Sequence, residues 1–154
     1  MSQQYHHMQI GWTLIVLVLA AVVAEIVLVV VLVPDSTLAL SLSGALAAIL
    51  AVTLVLFSTL TVTVDDSAVR LAFGMEVLRR EVALDEIAAA AKVRNAWYSG
   101  WGVRIIPNGR LYNVGGLDAV ELRLDSGRVV RLGSDEPDVL LMAVQSALAK
   151  RKPR

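Results

Sequence analysis

The chain has 154 residues, of which 56% are apolar and only 18% charged, and its mean hydropathy is +0.66. That balance excludes a disordered chain and does not suit an ordinary soluble globule. The net charge of zero leaves no strongly basic domain for nucleic acid, and the lack of cysteine excludes a disulfide, a thiol nucleophile and a cysteine zinc site.

Charge is segregated along the chain. All 14 Lys and Arg lie from Arg70 onward, and Glu25 and Asp35 are the only acidic residues before Asp65. Residues 1–9 read as a solvated N-terminal tail. His6 and His7 are adjacent in it without a third ligand, so no metal site is expected there. Ile10 to Val33 is an apolar run with Glu25 as its single charge. Pro34-Asp35-Ser36 breaks it, and Leu38 to Leu60 is a second run with no charge at all. Each is long enough to span a bilayer core, which takes about 20 residues as a helix. A helix also closes its backbone hydrogen bonds within the segment, as hydrocarbon requires. Residues 10–60 therefore predict a transmembrane helical hairpin with spans 10–33 and 38–60. The competing reading is a cleaved signal peptide plus one anchor, with Val22-Val23-Ala24 as a weak cleavage pattern. Residues 1–9 carry no Lys or Arg, and the apolar run continues well past Ala24, which weighs for the hairpin.

Basic residues set the expected orientation. Arg70, Arg79 and Arg80 follow the second span, and the loop at Pro34 to Thr37 has no basic residue. Both termini are expected in the cytoplasm of a multi-pass protein of the bacterial cell membrane, with the short loop outside. Trp12 stands where an interfacial anchor belongs. Glu25 is a carboxylate at membrane depth, costly in lipid and hence a candidate intramembrane polar site. Ser41, Ser43 and Thr53 of the second span are its candidate partners. A neutral Glu25 hydrogen-bonded across the hairpin, or between protomers, is weighed above a proton or ion path. Gly44 and Ala48, and Ala47 and Ala51, bring small residues to four-residue spacing, which suits packing within the hairpin or self-association.

The remainder predicts strands and a terminal helix. Thr59 to Val64 alternates Thr with Val and Leu, and Val69, Leu71 and Phe73 repeat at period two up to a turn at Gly74. Val77 to Leu84 is a further strand. Asp85 to Lys92 has helix propensity from four alanines, but it is short, and a strand led by a turn fits as well. Val103 to Ile106 leads to Pro107-Asn108-Gly109, a strong turn signal, and then to Leu111–Val114. Val120, Leu122 and Leu124 alternate with Glu121 and Arg123, and Asp125-Ser126-Gly127 turns the chain into Val129 to Leu132. Cross-strand Glu–Arg pairs are expected on the wet face. Ser134 or Asp135 can cap a last helix with Pro137 in its first turn and a stripe of Leu140, Leu141, Val144 and Leu148. About seven short antiparallel strands and a C-terminal α-helix predict a bent sandwich or barrel.

Four stretches carry a resemblance to a family: Leu84-Asp85-Glu86-Ile87 after a strand, Gly100-Trp101-Gly102-Val103-Arg104, Asp118-Ala119-Val120-Glu121-Leu122 before the Gly127 turn, and Gly133-Ser134-Asp135-Glu136-Pro137 opening the helix. Over about residues 60 to 149 the chain resembles the bacterial PH-like domains that follow transmembrane helices in small membrane proteins. The resemblance implies two near-orthogonal sheets with a C-terminal helix in a PH-like β domain at 61–149, followed by a basic tail at 150–154. Phosphoinositide reading is not implied, because Asp65-Asp66-Ser67 stands where a basic loop would be needed.

Chemical motifs are lacking. No zincin helix, P-loop, serine elbow or kinase set is present, and no nucleophile–base pair stands out. No cofactor is expected. Asp135, Glu136 and Asp138 crowd a helix start, where they favour the dipole, without the spacing of a calcium loop. Trp97, Tyr98 and Trp101 are three of eight aromatics. Core or barrel-end packing is weighed above docking on headgroups or a partner for this cluster. Arg94 and Arg104 flank it, and Arg79, Arg80 and the tail from Lys150 to Arg154 are further candidates for anionic lipid. The sequence thus predicts a non-enzymatic, membrane-anchored interaction module that binds a protein partner, itself or anionic lipid. The alternative from another class is a small oligomeric transport or channel component centred on Glu25.

Overall fold

The computed structural model describes residues 3–74 and 76–150. Two helices, α1 (Trp12–Leu32) and α2 (Thr37–Phe57), pack as an antiparallel hairpin. Both are long and apolar enough to cross a membrane. Ser36 opens α2, its Oγ accepting from the Ala39 amide at 3.2 Å. Half-buried and buried positions on α1 recur at helical spacing, at Leu14, Val18, Val22, Glu25 and Val29, and mark the face turned to α2. The remaining faces are exposed apolar side chains.

Residues 3–9 were expected as a solvated tail, and the structure corrects this. Gln3–Ile10 form strand β1, which pairs antiparallel with β2 (Thr59–Asp65) from Tyr5↔Val64 to Ile10↔Thr59. The Gly11 amide donates to the Ser58 carbonyl at 2.7 Å, where the strand pair ends and the hairpin begins. The hairpin is therefore an insertion in the β1–β2 connection. Tyr5 and Gln9 point inward and are buried, while His6 and Met8 are exposed. Gln9 donates from Nε2 to the Gly133 carbonyl at 2.6 Å. His7 meets Asp135 (Nε2 to Oδ1, 2.8 Å) at the start of the last helix. These are structural contacts of a strand, and no cluster of three or more metal-ligating side chains occurs among the described residues.

The strands after the hairpin follow the predicted pattern closely. Strands β3 (Ala68–Phe73) and β4 (Leu78–Ala83) complete a four-stranded sheet in the order β1-β2-β3-β4. Leu60, Val62 and Val64 of β2 and Val69, Leu71 and Phe73 of β3 face the core, and threonines of β2 face out. Asp65 fixes the β2–β3 turn. Its Oδ1 accepts from the Ser67 amide and hydroxyl and the Ala68 amide, and Oδ2 pairs with Arg70. Burial alone would raise the Asp65 carboxyl, but these hydrogen bonds outweigh it and hold the pKa down at about 2. The ambiguous segment after β4 is a strand. A single 3-10 turn at Leu84–Glu86 leads into β5 (Ile87–Arg94), so the alanines lie in a sheet.

The second sheet has the order β5-β8-β9-β7-β6, with β6 (Gly102–Ile106), β7 (Gly109–Asn113), β8 (Asp118–Leu124) and β9 (Val129–Gly133). The described residues thus form nine strands in two sheets, where about seven were expected. The all-antiparallel expectation is corrected too, because β7 and β9 run parallel. The chain leaves β7, crosses to β8 beside β5, and returns β9 into the gap between β8 and β7. Glu–Arg pairs cross the strands as expected, Glu121 with Arg131 and Arg70 with Glu81, but Glu121 is buried and not on a wet face.

Helix α3 (Pro137–Lys150) closes one end. Ser134 Oγ accepts from the Glu136 amide at 3.1 Å just before it. Leu140, Val144 and Ala147 are fully packed, with Leu141 and Leu148 partly buried beside them. One core joins both sheets and α3, and from the hairpin only Phe57 packs against it.

Candidate functional site at the base of the hairpin

A wide concavity lies where the hairpin meets the β domain. It has a volume of about 1050 Å³. Its apolar wall combines Leu14, Thr53 and Phe57 of the hairpin with Phe73 and Tyr112 of the two sheets. Phe73 stacks edge-on to Phe57 and tilted against Tyr112, with centroids 6.1 and 6.2 Å away. The rim comes from the two edge strands, Arg79 and Arg80 of β4 and Arg104 of β6, with Arg110 of β7. Four guanidinium groups line this cleft and no carboxylate does.

Two of the four arginines are held. Arg79 donates to the Glu76 carbonyl at 2.9 Å and to its carboxylate, and Arg104 Nε donates to the Trp101 carbonyl at 3.1 Å. Arg80 and Arg110 have no ion-pair partner among the described residues. Both continue into an adjoining pocket of about 120 Å³ that adds Arg128 and shares Tyr112, again without a carboxylate. The parallel β7–β9 pairing creates this cluster. It sets Gly109 opposite Val129 and so brings Arg110 near Arg128, the residue just before β9. Close backbone approach is required there, since a Cβ on Gly109 would sit 1.8 Å from the Val129 carbonyl oxygen.

The aromatic cluster is only partly packed. Trp97 and Tyr98 are 83% and 76% exposed, edge to face at 5.9 Å, on a 3-10 turn after β5. The favoured packing reading is therefore corrected for these two. Trp101 is half-buried and lines the cleft. Gly100 and Gly102, on either side of Trp101, both have positive φ. Trp97 and Trp101 share a small pocket with Thr13, which places this turn beside the start of α1, where Trp12 is also exposed.

The other candidates lie apart. Arg94 ends β5 and lines neither pocket. Lys150 is the exposed last residue of α3, and the rest of the basic tail lies outside the described residues. Glu25 sits half-buried on the α1–α2 seam, and its Oε2 has no hydrogen-bond partner among the described residues. Two of the three partners expected for it turn to their own helix instead. Ser41 donates to the Thr37 carbonyl at 2.8 Å and Thr53 to the Ile49 carbonyl at 2.9 Å. Gly44 and Ala48 face outward, away from the seam. Sequence reasoning missed Arg110 and Arg128, which no local pattern distinguishes from surface arginines.

No protein-family model matches the chain, and neither a curated protein nor a solved structure shows significant similarity to it.

Proposed function

We propose that this protein is a membrane-anchored, non-enzymatic interaction module whose β domain rests on the anionic surface of the cytoplasmic leaflet. The observation that carries this reading is the composition of the end from which the hairpin rises. Exposed Trp12, Trp97 and Tyr98 stand there beside Arg79, Arg80 and Arg104. Aromatic rings favour the headgroup layer, and each nearby Lys or Arg adds about 1 kcal/mol of attraction to an anionic leaflet. Because the hairpin leaves and rejoins the domain at adjacent residues, Gly11 and Ser58, this end meets the surface that the helices enter. The PH-like character of the domain and its bacterial, cytoplasmic setting belong to this proposal. The two sheets and the terminal helix support it at the level of architecture, and the Arg-rich flank of the second span supports the orientation.

The test uses the full chain in phosphatidylcholine bilayers with trace spin-labelled lipids. Phosphatidylglycerol label is expected to be immobilised at the protein surface in preference to phosphatidylcholine label. The preference should fall several-fold at high salt, because exposed charges are screened, and in an Arg79→Ala, Arg104→Ala variant. Equal immobilisation of both labels would defeat the reading.

A further inference from the structure

The arginines of the cleft are more organised than surface attraction requires. Arg80, Arg110 and Arg128 converge on one small pocket, from β4, β7 and the residue just before β9, with no carboxylate among its lining residues. Three like charges brought together without a counter-ion repel one another, and an anion relieves that repulsion. Guanidinium groups also match phosphate oxygens in bidentate geometry. The small pocket shares Arg80, Arg110 and Tyr112 with the large cleft. The other end of the cleft is apolar and reaches Thr53, four residues before the end of α2. Four residues of helix are about 6 Å. The cleft therefore runs from an anion pocket to about one turn inside a helix of membrane-spanning character.

We infer that this cleft holds one anionic phospholipid, with its phosphate among Arg80, Arg110 and Arg128 and an acyl chain along Leu14, Thr53 and Phe57. The inference rests on the proposed membrane setting and deepens it from a charged surface to a stoichiometric site. Charge complementarity and the apolar exit toward the hairpin together select a lipid over a free phosphate. A free phosphate would leave the exposed Val77 and Leu78 and the half-buried Leu14 and Phe57 of the cleft uncovered. Arg80 also lines a neighbouring pocket that holds Glu76 and Glu81, but those carboxylates are engaged by Arg79 and Arg70.

Native mass spectrometry of the full chain in detergent, titrated with phosphatidic acid, phosphatidylglycerol or phosphatidylcholine, tests this. The expected result is one retained lipid per chain, with phosphatidic acid and phosphatidylglycerol retained at least tenfold more than phosphatidylcholine. Arg80→Ala, Arg110→Ala and Arg128→Ala should each lower retention several-fold, while Arg94→Ala leaves it unchanged. Glycerol 3-phosphate at equal concentration should not displace the lipid, because it lacks the chain. Displacement by it would overturn the lipid assignment in favour of a soluble phosphate site. Graded, non-stoichiometric retention that ignores these variants would overturn the site. If the spin-label preference survived such a failure, the surface reading would stand alone; if both failed, the membrane-surface reading would fall with the site.

Discussion

A chain in which Asn-Gly replaces residues 11–58 is expected to be a water-soluble, folded β domain, whereas a chain that begins at Thr59 is expected not to fold. The first outcome follows from the insertion. Ile10 and Thr59 are direct partners in an antiparallel ladder, so a two-residue type I′ turn can join them. The core lies within the two sheets and α3, and loses only the packing of Phe57. The second outcome follows from β1. Without it, β2 becomes an open edge, and the pocket of Tyr5 is vacated. Removing a large buried aromatic costs about 3–5 kcal/mol, comparable to the stability of a small domain. Tyr5 also ties β1 to α3. Burial raises its hydroxyl pKa, and a hydrogen bond with Glu136 raises it further. Gln9 adds its bond to Gly133. Circular dichroism and gel filtration of the two chains read the result. Folding of the shorter chain would show β1 to be dispensable. Aggregation of the Asn-Gly chain would show that the hairpin is needed for the fold.

Arg131→Ala is expected to destabilise the domain by about 3 kcal/mol or more. Glu121 is buried on the second sheet, and Arg131 holds it with Nη2 at 2.6 Å and Nε at 3.2 Å. Hydrogen bonds from Arg131 are the main reason that the Glu121 carboxyl sits below its ordinary pKa, against the opposing effect of burial. Removing Arg131 leaves a buried carboxylate held only by the exposed Arg123, and breaking such a pair typically costs about 3–5 kcal/mol. It also frees Asn95 Oδ1, which accepts from Arg131 at 3.2 Å. Arg123→Ala touches the same carboxylate from the exposed side and should cost about 1 kcal/mol or less. Replacing Glu121 and Arg131 together by leucine should recover most of the loss, since no buried charge then remains. Thermal unfolding of the full chain in detergent compares the three variants. Equal effects of Arg131→Ala and Arg123→Ala would show that burial does not set the value of this pair.

The elements that could be read from sequence are those whose signal is local. Two long apolar runs, with Glu25 their single charge, announce the hairpin, and period-two alternation places β2, β3, β8 and β9 within a residue or two. The alanines of β5 could not be read, because alanine favours a helix and only the pairing with β8 makes them a strand. Strand β1 was hidden for a different reason. Its partner lies on the far side of the hairpin, with Ile10 opposite Thr59, and its inward residues include the polar His7 and Gln9. Only Tyr5 offers an apolar cue. The cleft divides in the same way. Arg79, Arg80, Trp101 and Arg104 drew notice as charged or aromatic clusters in sequence and do meet there. Arg110 and Arg128 join them through a parallel strand pair that no local pattern predicts. Trp97 and Tyr98 read as packing residues because aromatics usually are, yet the 3-10 turn that carries them projects both outward.

Sidedness tests the central claim most directly, and the chain has no native cysteine to interfere. Single cysteines at Asp35, between the two helices, and at Ser126, in the turn between β8 and β9, are both exposed positions. Intact and permeabilised cells are treated with a membrane-impermeant maleimide. The expected result is labelling of Asp35→Cys in intact cells and of Ser126→Cys only after permeabilisation. Labelling of both in intact cells would contradict a hairpin that crosses the membrane, and the reversed pattern would put the β domain and its arginine cleft on the outer leaflet.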